Sequence, residues 1–296
     1  NLAEDMSDEE LGRLSGELTG EFEENKSSRQ EWEDAFANGL ELLGFSYEER
    51  SQPFRGASGV THPLLAESAT QFQAQAFNEL LPPGGPVRTL VMGTSTPDKE
   101  DQAQRVKEFM NYYITSVMEE YTPEFDQMLF YLPLAGSTFK KVYYDENLDR
   151  AVSKFIPAED LVVPYSTSDL ETCPNITHVV KMSLNDLRKR QLSGFYRDIP
   201  VIPAQGETSS VKEELERIDG MYPSNVDYDC TLLECHVDLD LEGFEEEDEE
   251  GEATGIKVPY VVTISQDNGQ VLSIRRNYKE DDEKKKKIQY FVHYKF

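Results

Sequence analysis

The segment of residues 54–90 constrains the fold most, because it is the one long stretch in which chain breakers and hydrophobic spacing agree. Gly56, Gly59 and Pro63 interrupt the chain before the helical pattern, and the PPGGP sequence at 82–86 interrupts it afterwards. Between these breaks, apolar residues recur at helical spacing, namely Leu65, Ala69, Phe72, Ala76 and Leu80. The pattern predicts a helix of about five turns, buried over residues 67–81, with small and amide side chains that suit close packing.

Two further helices are predicted before this segment. Ser7 and Glu10 form a capping-box pair that opens an acidic amphipathic helix over residues 7–24. Its apolar stripe consists of Leu11, Leu14, Leu18 and Phe22. A second helix over residues 28–43 ends at Gly44, with Trp32, Phe36, Leu40 and Leu43 on one face. In the polar loop that follows, Arg55 beside Gly56 is a candidate contact to another subunit.

Two helices are predicted after the central segment. Thr96 and Pro97 form an N-cap and first-turn pair for a helix that runs to about Glu120. The apolar side chains expected to point inward are Val106, Phe109, Met110, Tyr113 and Val117. Thr122 and Pro123 begin the next helix in the same way, and Pro133 and Gly136 close it.

From Thr138 onward the hydrophobic period changes to that of β-strands. Residues 138–144 and 151–156 read as a hairpin around a turn at 145–147, and residues 176–182 read as a strand. Two short helices, over 183–194 and 211–218, and four strands are then expected, the strands at 231–241, 257–266, 271–278 and 288–296. Asn268-Gly269 is a strong hairpin turn signal. The sequence predicts an α+β fold, mainly helical over 1–137 and mixed α/β to mainly β over 138–296.

The charge of the chain argues against sequence-specific binding of nucleic acid. Asp and Glu number 57 against 29 Lys and Arg, a formal net charge of −28, and binding to phosphates needs clustered basic residues. The three cysteines, Cys173, Cys230 and Cys235, are too few and too irregularly spaced for a disulfide framework, which indicates a reducing compartment. No apolar run approaches the roughly 20 residues of a membrane helix. We therefore expect a soluble intracellular product without a membrane span.

One acidic string matches a calcium-binding template. The matching residues are Asp238, Asp240, Glu242, Gly243, Phe244, Glu246 and Glu249, at positions 1, 3, 5, 6, 7, 9 and 12 of an EF-hand loop. However, position 5 is Glu instead of Asp or Asn, position 8 is Glu245 instead of an aliphatic residue, and the preceding residues alternate like a strand. We interpret the string as an acidic loop at a hairpin tip and predict that no divalent metal is needed structurally.

Catalytic and cofactor-binding residues are not predicted anywhere in the chain. Cys235 and His236 are adjacent and point to opposite faces of a strand, and Cys230 lacks the Cys-x-x-Cys spacing of zinc sites. His62, His178 and His293 have no nucleophile at recognisable spacing. The PPGGP turn lacks the Lys-Ser/Thr ending of a phosphate-binding loop. The sequence predicts a protein that is not an enzyme and holds no cofactor or metal.

Several blocks of the sequence resemble one known family. They are FRGASGVTHPLLAESATQFQAQAFNELLPPGGPVRT, RVKEFMNYY, LPLAGSTFKKVYYD, PAEDLVVPY, VPYVVTI and VLSIRRNY. In this order they resemble the N-terminal wing of portal proteins, the head-to-tail connectors of short-tailed bacteriophages. The resemblance covers nearly the whole chain from about Glu31 onward. It implies a wing domain with N-terminal helices followed by β-hairpins and a mixed sheet, while the family's stem, clip and crown are absent from this chain.

The resemblance also implies a function and partners. Portal subunits form a homo-oligomeric ring of twelve at the capsid vertex of the virion, after assembly in the host cytoplasm. Double-stranded DNA passes through the ring during packaging and ejection without sequence-specific binding. The implied protein partners are the major capsid protein, the large terminase subunit and head-to-tail adaptor proteins. A strongly acidic ring would repel DNA phosphates and let the duplex slide.

Two other functions stay open at this point. An acidic adaptor or scaffold module would bind basic partners as a monomer, and a metal-dependent hydrolase would use the carboxylate-rich region. The chain begins at Asn1 without a methionine and ends at Phe296 within an alternating apolar run, so we expect a piece of a longer polypeptide. Such a piece should fold by itself and assemble weakly, with a sticky strand end at residues 290–296.

Overall fold

The structure is a computed structural model that describes residues 1–43, 54, 56, 62–145, 148–201, 229–246, 253–282 and 284–296. The proposed subunit contact at Arg55, the end of a helix at Gly44, the predicted helix at 211–218 and the last template residue, Glu249, lie outside these ranges. Among the described residues, no helix combines the length and apolar character needed to span a bilayer.

The described residues form an α+β fold, as the sequence predicts. The helices are α1 (Asp8–Ser28), α2 (Gln30–Glu41), α3 (Leu64–Leu80), α4 (Pro97–Tyr112), α5 (Tyr121–Ala135) and α6 (Leu184–Leu192). The strands are β1 (Ser137–Asp145), β2 (Arg150–Ile156), β3 (Leu161–Val162), β4 (Asn175–Ser183), β5 (Asp229–Leu239), β6 (Val258–Ser265), β7 (Val271–Arg276) and β8 (Phe291–Lys295). All pairings among these strands are antiparallel, whereas the family resemblance implied a mixed sheet.

The chain divides into two compact units. One unit comprises residues 1–37 and 159–289, and the other comprises residues 38–158 and 290–296. Each unit contains helices and one sheet. Each is also formed by two stretches that are distant in the sequence. The sequence-based division at residue 137 followed the change of hydrophobic period along the chain, and this period carries no information about pairing between distant segments.

The first unit is built on the five-stranded sheet β3-β4-β5-β6-β7. The predicted capping box is present, since Ser7 Oγ accepts from the Glu10 N–H while Glu10 accepts from the Ser7 N–H. The stripe of α1 predicted from the sequence is buried against one face of the sheet, in a cluster that includes Leu233 and Cys235 of β5. Leu232 of β5 points to the opposite face, where it joins Leu187 of α6. This alternation follows from the two-residue period of a strand.

The hairpin between β6 and β7 confirms the turn predicted at Asn268-Gly269. Gly269 has a φ of 63°, a left-handed conformation that glycine adopts without a steric cost. Its carbonyl oxygen accepts a 2.5 Å hydrogen bond from Ser15 Oγ. The turn is thereby held against α1.

The second unit is built on the three-stranded sheet β2-β1-β8. The predicted β1–β2 hairpin is present, with Phe139 opposite Ile156 and Asp145 opposite Arg150. Strand β8, far away in the sequence, pairs with the other edge of β1. Helix α5 contributes buried apolar residues beside the sheet, namely Phe125, Met128, Leu129 and Leu132. It ends at Gly136, whose φ is 75°.

Helix α3 forms where the sequence predicts it, but the prediction that residues 67–81 are buried is wrong. Ala69 is its one fully buried residue, and Leu80 is 52% exposed. Phe72, Ala76 and Phe77 are half-buried in a cluster with residues of α5. Because α3 packs on α5 along one side, its amide-rich side stays in solvent. A helical apolar pattern predicts one covered face and leaves open how much of the helix is enclosed.

Candidate assembly surface

Helix α4 begins at the N-cap threonine and first-turn proline that the sequence predicts. Thr96 is the N-cap residue and Pro97 occupies the first helical turn, where a missing N–H and a fixed φ cost nothing. Asp98 and Glu100 lie in the same turn, where the positive end of the helix dipole favours acidic side chains. The helix continues as a single π-helical turn over Tyr113–Val117, a feature often associated with functional sites.

The side chains of α4 that were predicted to point inward are not covered by this chain. None of the α4 residues, all of which the structure describes, is buried. Val106 is 48% exposed, Phe109 61% and Met110 39%, while Tyr113 and Val117 are half-buried. The expectation of an inward face is therefore wrong for the single chain. The apolar stripe exists, yet the described residues leave it in contact with solvent.

An extended segment, residues 87–92, runs alongside α4. Asn111 fixes its start, because the Asn111 side chain accepts from the Val87 N–H at 2.8 Å and donates to the Val87 carbonyl at 3.1 Å. Thr89 Oγ1 donates to the Ala103 carbonyl oxygen at 3.1 Å. Ala103 precedes Val106 by three residues and Met110 by seven, so all three lie on one side of the helix. The segment therefore borders the apolar stripe.

The segment also carries two exposed large apolar side chains. Leu90 is 87% exposed and Met92 is 85% exposed. We call the set Val106, Phe109 and Met110 the α4 surface. The sequence pattern singled out these three residues but missed Leu90 and Met92, which lie outside any periodic element.

Gly85 sets the direction in which the segment leaves the preceding turn. Its φ is 88°, and a Cβ at this position would lie 2.3 Å from Asn111 Oδ1. Both facts require glycine here. The PPGGP turn, which the sequence identified as a chain breaker, therefore also allows the close approach of Asn111 to the backbone.

The acidic string does not form a calcium loop in the described residues. Asp238, its first position, lies within β5 opposite Pro259, and burial raises the pKa of its carboxyl group. Glu246 accepts a hydrogen bond from Tyr278 Oη at 3.3 Å and pairs with Lys285. Over the ranges that the structure covers, no group of three or more His, Cys, Asp or Glu residues is placed to hold a metal ion. The strand predicted before the string is present as β5.

One pair that sequence reasoning missed is Ser137 and His293. Their side chains are joined by a 2.5 Å contact between Ser137 Oγ and His293 Nε2, because β1 and β8 pair across the sheet. His293 stacks on Phe139 with ring centroids 4.6 Å apart, and burial, followed by the nearby Lys295, lowers the pKa of its imidazole. A serine and a histidine in contact are the core of many hydrolase sites.

The surroundings of this pair differ in one respect from those of a hydrolytic triad. Hydrolytic sites orient the histidine through a third group, usually a carboxylate. No carboxylate in the described part of the chain bonds His293. The interaction joins β1 and β8, which pair with each other at this end.

The buried histidines, His178 and His236, and the three cysteines belong to the first unit, whereas His62 is exposed just before α3. His236 Nε2 lies 2.7 Å from Glu234 Oε1, and His178 is buried in β4. Burial raises the pKa of the Cys235 thiol to about 12, so it is a poor nucleophile at neutral pH. Cys173 Sγ donates to the Asn175 carbonyl at 3.0 Å. All three cysteines are free and buried.

In comparisons with known proteins, no protein-family model matches the chain, and no curated protein matches it significantly.

Proposed function

We propose that this chain is the wing portion of a portal subunit, a structural protein without catalytic activity. In this proposal the subunits form a homo-oligomeric ring at the capsid vertex of a virion. Double-stranded DNA passes through the ring during packaging and ejection, and packaging-motor, capsid and adaptor proteins attach to it. The proposal rests on the ordered sequence blocks that resemble portal proteins.

The structural observation that carries the proposal is the uncovered α4 surface. Isolated helices shorter than about 12–15 residues are marginal in water, and most helices in proteins are stabilised by packing of an apolar face. Helix α4 has 16 residues and none of them is buried. The described residues leave its apolar stripe uncovered, and in this proposal a neighbouring subunit packs against it.

The charge of the chain fits a ring around DNA better than a DNA-binding protein. Each copy carries a formal charge of −28. A ring of such subunits repels phosphate groups, which weakens adhesion of the duplex to the channel wall.

Electron-microscopy class averages of the protein expressed from its complete gene test the proposal. We expect closed rings with a central hole. A monodisperse monomer at the same concentration would overturn the proposal and favour the acidic adaptor module. Hydrolytic activity that is lost on chelation would instead favour the metal-dependent hydrolase.

A further inference from the structure

We propose that a groove beside helix α6 binds an acidic peptide segment of another protein, one that also carries apolar side chains. The inference goes beyond the proposed function, because it follows from the groove itself and does not require that the chain forms a ring. The groove lies within the first unit, between α6 and the segment 198–201.

The groove has a helical wall and a non-helical wall. Leu184, Leu187, Arg188 and Gln191 line it from α6, at spacings of three and four residues that place them on one side of the helix. The segment 198–201 forms the opposite wall. The volume is about 370 Å³, at the lower end of the range of about 300–1,000 Å³ for ligand pockets. A few side chains of a peptide fill such a space.

Gln191 holds the two walls together. It is largely buried, and its Nε2 donates to the Arg197 carbonyl at 3.1 Å and to the Ile199 carbonyl at 2.7 Å. On the helical wall, Gln191 Oε1 accepts from Arg188 Nη1 at 3.1 Å. The groove is therefore formed before a ligand arrives, which lowers the cost of ordering it on binding.

The apolar part of the lining is suited to aliphatic side chains. Leu187 belongs to a buried cluster with Leu232 of β5, and Ile199 and Val201 pack against this cluster. Leu184 is 41% exposed. A ligand with apolar side chains removes this exposed apolar surface from water, which is favourable.

Arg188 supplies the charged contact. Its side chain is half exposed and pairs with Asp198 through Nη1, the same atom that donates to Gln191. An arginine has five N–H donors, and in the described part of the chain those on Nε and Nη2 of Arg188 make no hydrogen bond. A guanidinium edge of this kind binds a carboxylate through two parallel hydrogen bonds.

The charge around the groove selects an acidic ligand. Residues 181–201 contain five basic and two acidic side chains, a formal charge of +3 in a chain whose total is −28. Asp8 of α1, which pairs with Arg197 at 3.1 Å, reduces this local charge to +2. The rest of the surface repels an acidic ligand and α6 attracts it. Nucleic acid offers negative charge but no aliphatic side chains for the apolar lining.

Fluorescence anisotropy with short labelled peptides tests the site in the 296-residue chain. The probe is a hexapeptide of alternating glutamate and leucine. One control peptide has serine in place of leucine, a second has lysine in place of glutamate, and a single-stranded DNA hexanucleotide supplies negative charge alone. We expect the glutamate–leucine peptide to bind at least tenfold more tightly than each control. Absence of binding, or equal binding of any control, would overturn the inference.

Charge variants locate the binding. Arg188→Gln should weaken binding of the glutamate–leucine peptide at least tenfold. Lys189→Gln removes the same charge from the next residue, which does not line the groove, and should change the affinity less than twofold. Asp198→Asn should instead strengthen binding at least threefold, because it removes the carboxylate that competes for Arg188. Equal effects at 188 and 189, or weaker binding in Asp198→Asn, would contradict the site.

The apolar contact has its own pair of variants. Leu184→Ser should weaken binding at least fivefold, whereas Leu192→Ser should not, since Leu192 is exposed on the same helix but does not line the groove. Benzoylphenylalanine in place of Leu184 should attach the bound peptide after irradiation. Attachment to the protein's own chain instead would show that the chain itself fills the groove, and would overturn the inference.

The outcome is separable from that of the proposed function. If the complete protein forms rings and the peptide does not bind, the groove is not a binding site and the portal proposal stands. If the peptide binds with the expected variant effects while microscopy shows no ring, the site stands and the portal proposal fails.

Discussion

The carboxylate of Glu120 accepts a 3.2 Å hydrogen bond from the backbone N–H of Ser153, in the middle of β2. Two residues further along the strand, Glu124 accepts a hydrogen bond from the N–H of Phe155. Alternate N–H groups of a strand point to the same edge. Two acidic side chains therefore occupy donors on the outer edge of β2, which is an edge strand of its sheet.

A third side chain completes this arrangement. Tyr113 Oη accepts from the N–H of Ala151 at 2.9 Å, two residues before Ser153. Open strand edges are templates for pairing with other chains, and proteins commonly block them. The blocked edge of β2 thus directs association away from edge-to-edge pairing.

We first predict that removing the edge-blocking carboxylates promotes aggregation. The double variant Glu120→Ala/Glu124→Ala frees the N–H groups of Ser153 and Phe155 and should lose about 2 kcal/mol of unfolding free energy. Thioflavin fluorescence and light scattering should rise during incubation near the melting temperature. The matched control is Asp126→Ala, since within the described residues the carboxylate of this exposed α5 residue accepts no hydrogen bond, and the bond from Gln73 Nε2 goes to its backbone carbonyl. Similar aggregation of both variants would contradict the edge-blocking role.

The second prediction concerns Lys140, which is 2% exposed. Its Nζ lies 4.1 Å from the centroid of the Tyr121 ring and 5.1 Å from that of Phe125. Burial lowers the pKa of Lys140 from 10.5 to about 8, against the opposing effect of Glu124 and Glu120. Between pH 8 and 10.5, the unfolded chain holds this proton and the folded chain does not. The contribution of Lys140 to stability is therefore unfavourable below pH 8 and improves as the pH rises through this window.

The variant Lys140→Met should consequently be more stable than the parent at pH 7, and this advantage should shrink as the pH rises from 8 to 10. Denaturant unfolding at fixed pH values measures the difference. Lys141→Met, at the neighbouring position on the other face of β1, serves as control. A stability difference that is constant between pH 7 and 10 would show that Lys140 ionises normally.

Third, we predict that Gly85→Ala is destabilising while Gly84→Ala is tolerated. A Cβ at Gly85 meets the Asn111 side chain, and the φ of 88° disfavours alanine, whereas a Cβ at Gly84 meets nothing within 4 Å. The expected loss for Gly85→Ala is about 1–3 kcal/mol, against about 0.5 kcal/mol or less for Gly84→Ala. Thermal unfolding compares the two variants, and amide exchange at Val87 should accelerate only in Gly85→Ala. Equal effects would show that Asn111 does not pack against this turn.

Fourth, calcium should leave the thermal stability of the chain unchanged. Asp238 belongs to a paired strand, whereas an EF-hand takes its first ligand from a 12-residue loop. We expect the melting temperature to agree within about 1 °C with and without millimolar Ca²⁺, since a tightly bound ion would raise it. A large rise that a chelator and Glu249→Ala both abolish would establish a calcium site.

The sequence alone determined the features that depend on neighbours along the chain. The capping box at Ser7 and Glu10, the stripe of α1, the helix-ending Gly136 and the Asn268-Gly269 hairpin are encoded within a few residues of where they act. The α+β class followed from the change of hydrophobic period near Thr138. These features are local, because helical and strand periodicity are properties of the backbone itself.

Only the tertiary structure decided what covers each apolar face. The helical spacing of Val106, Phe109 and Met110 indicates that burial of these side chains is favourable. It does not identify the surface that buries them. The contact of Ser137 with His293 depends on strand pairing between distant parts of the chain, and so does the reach of Glu120 to β2. Such partners are selected by the packing of whole elements, whose energy is spread over many weak contacts and leaves no short sequence signal.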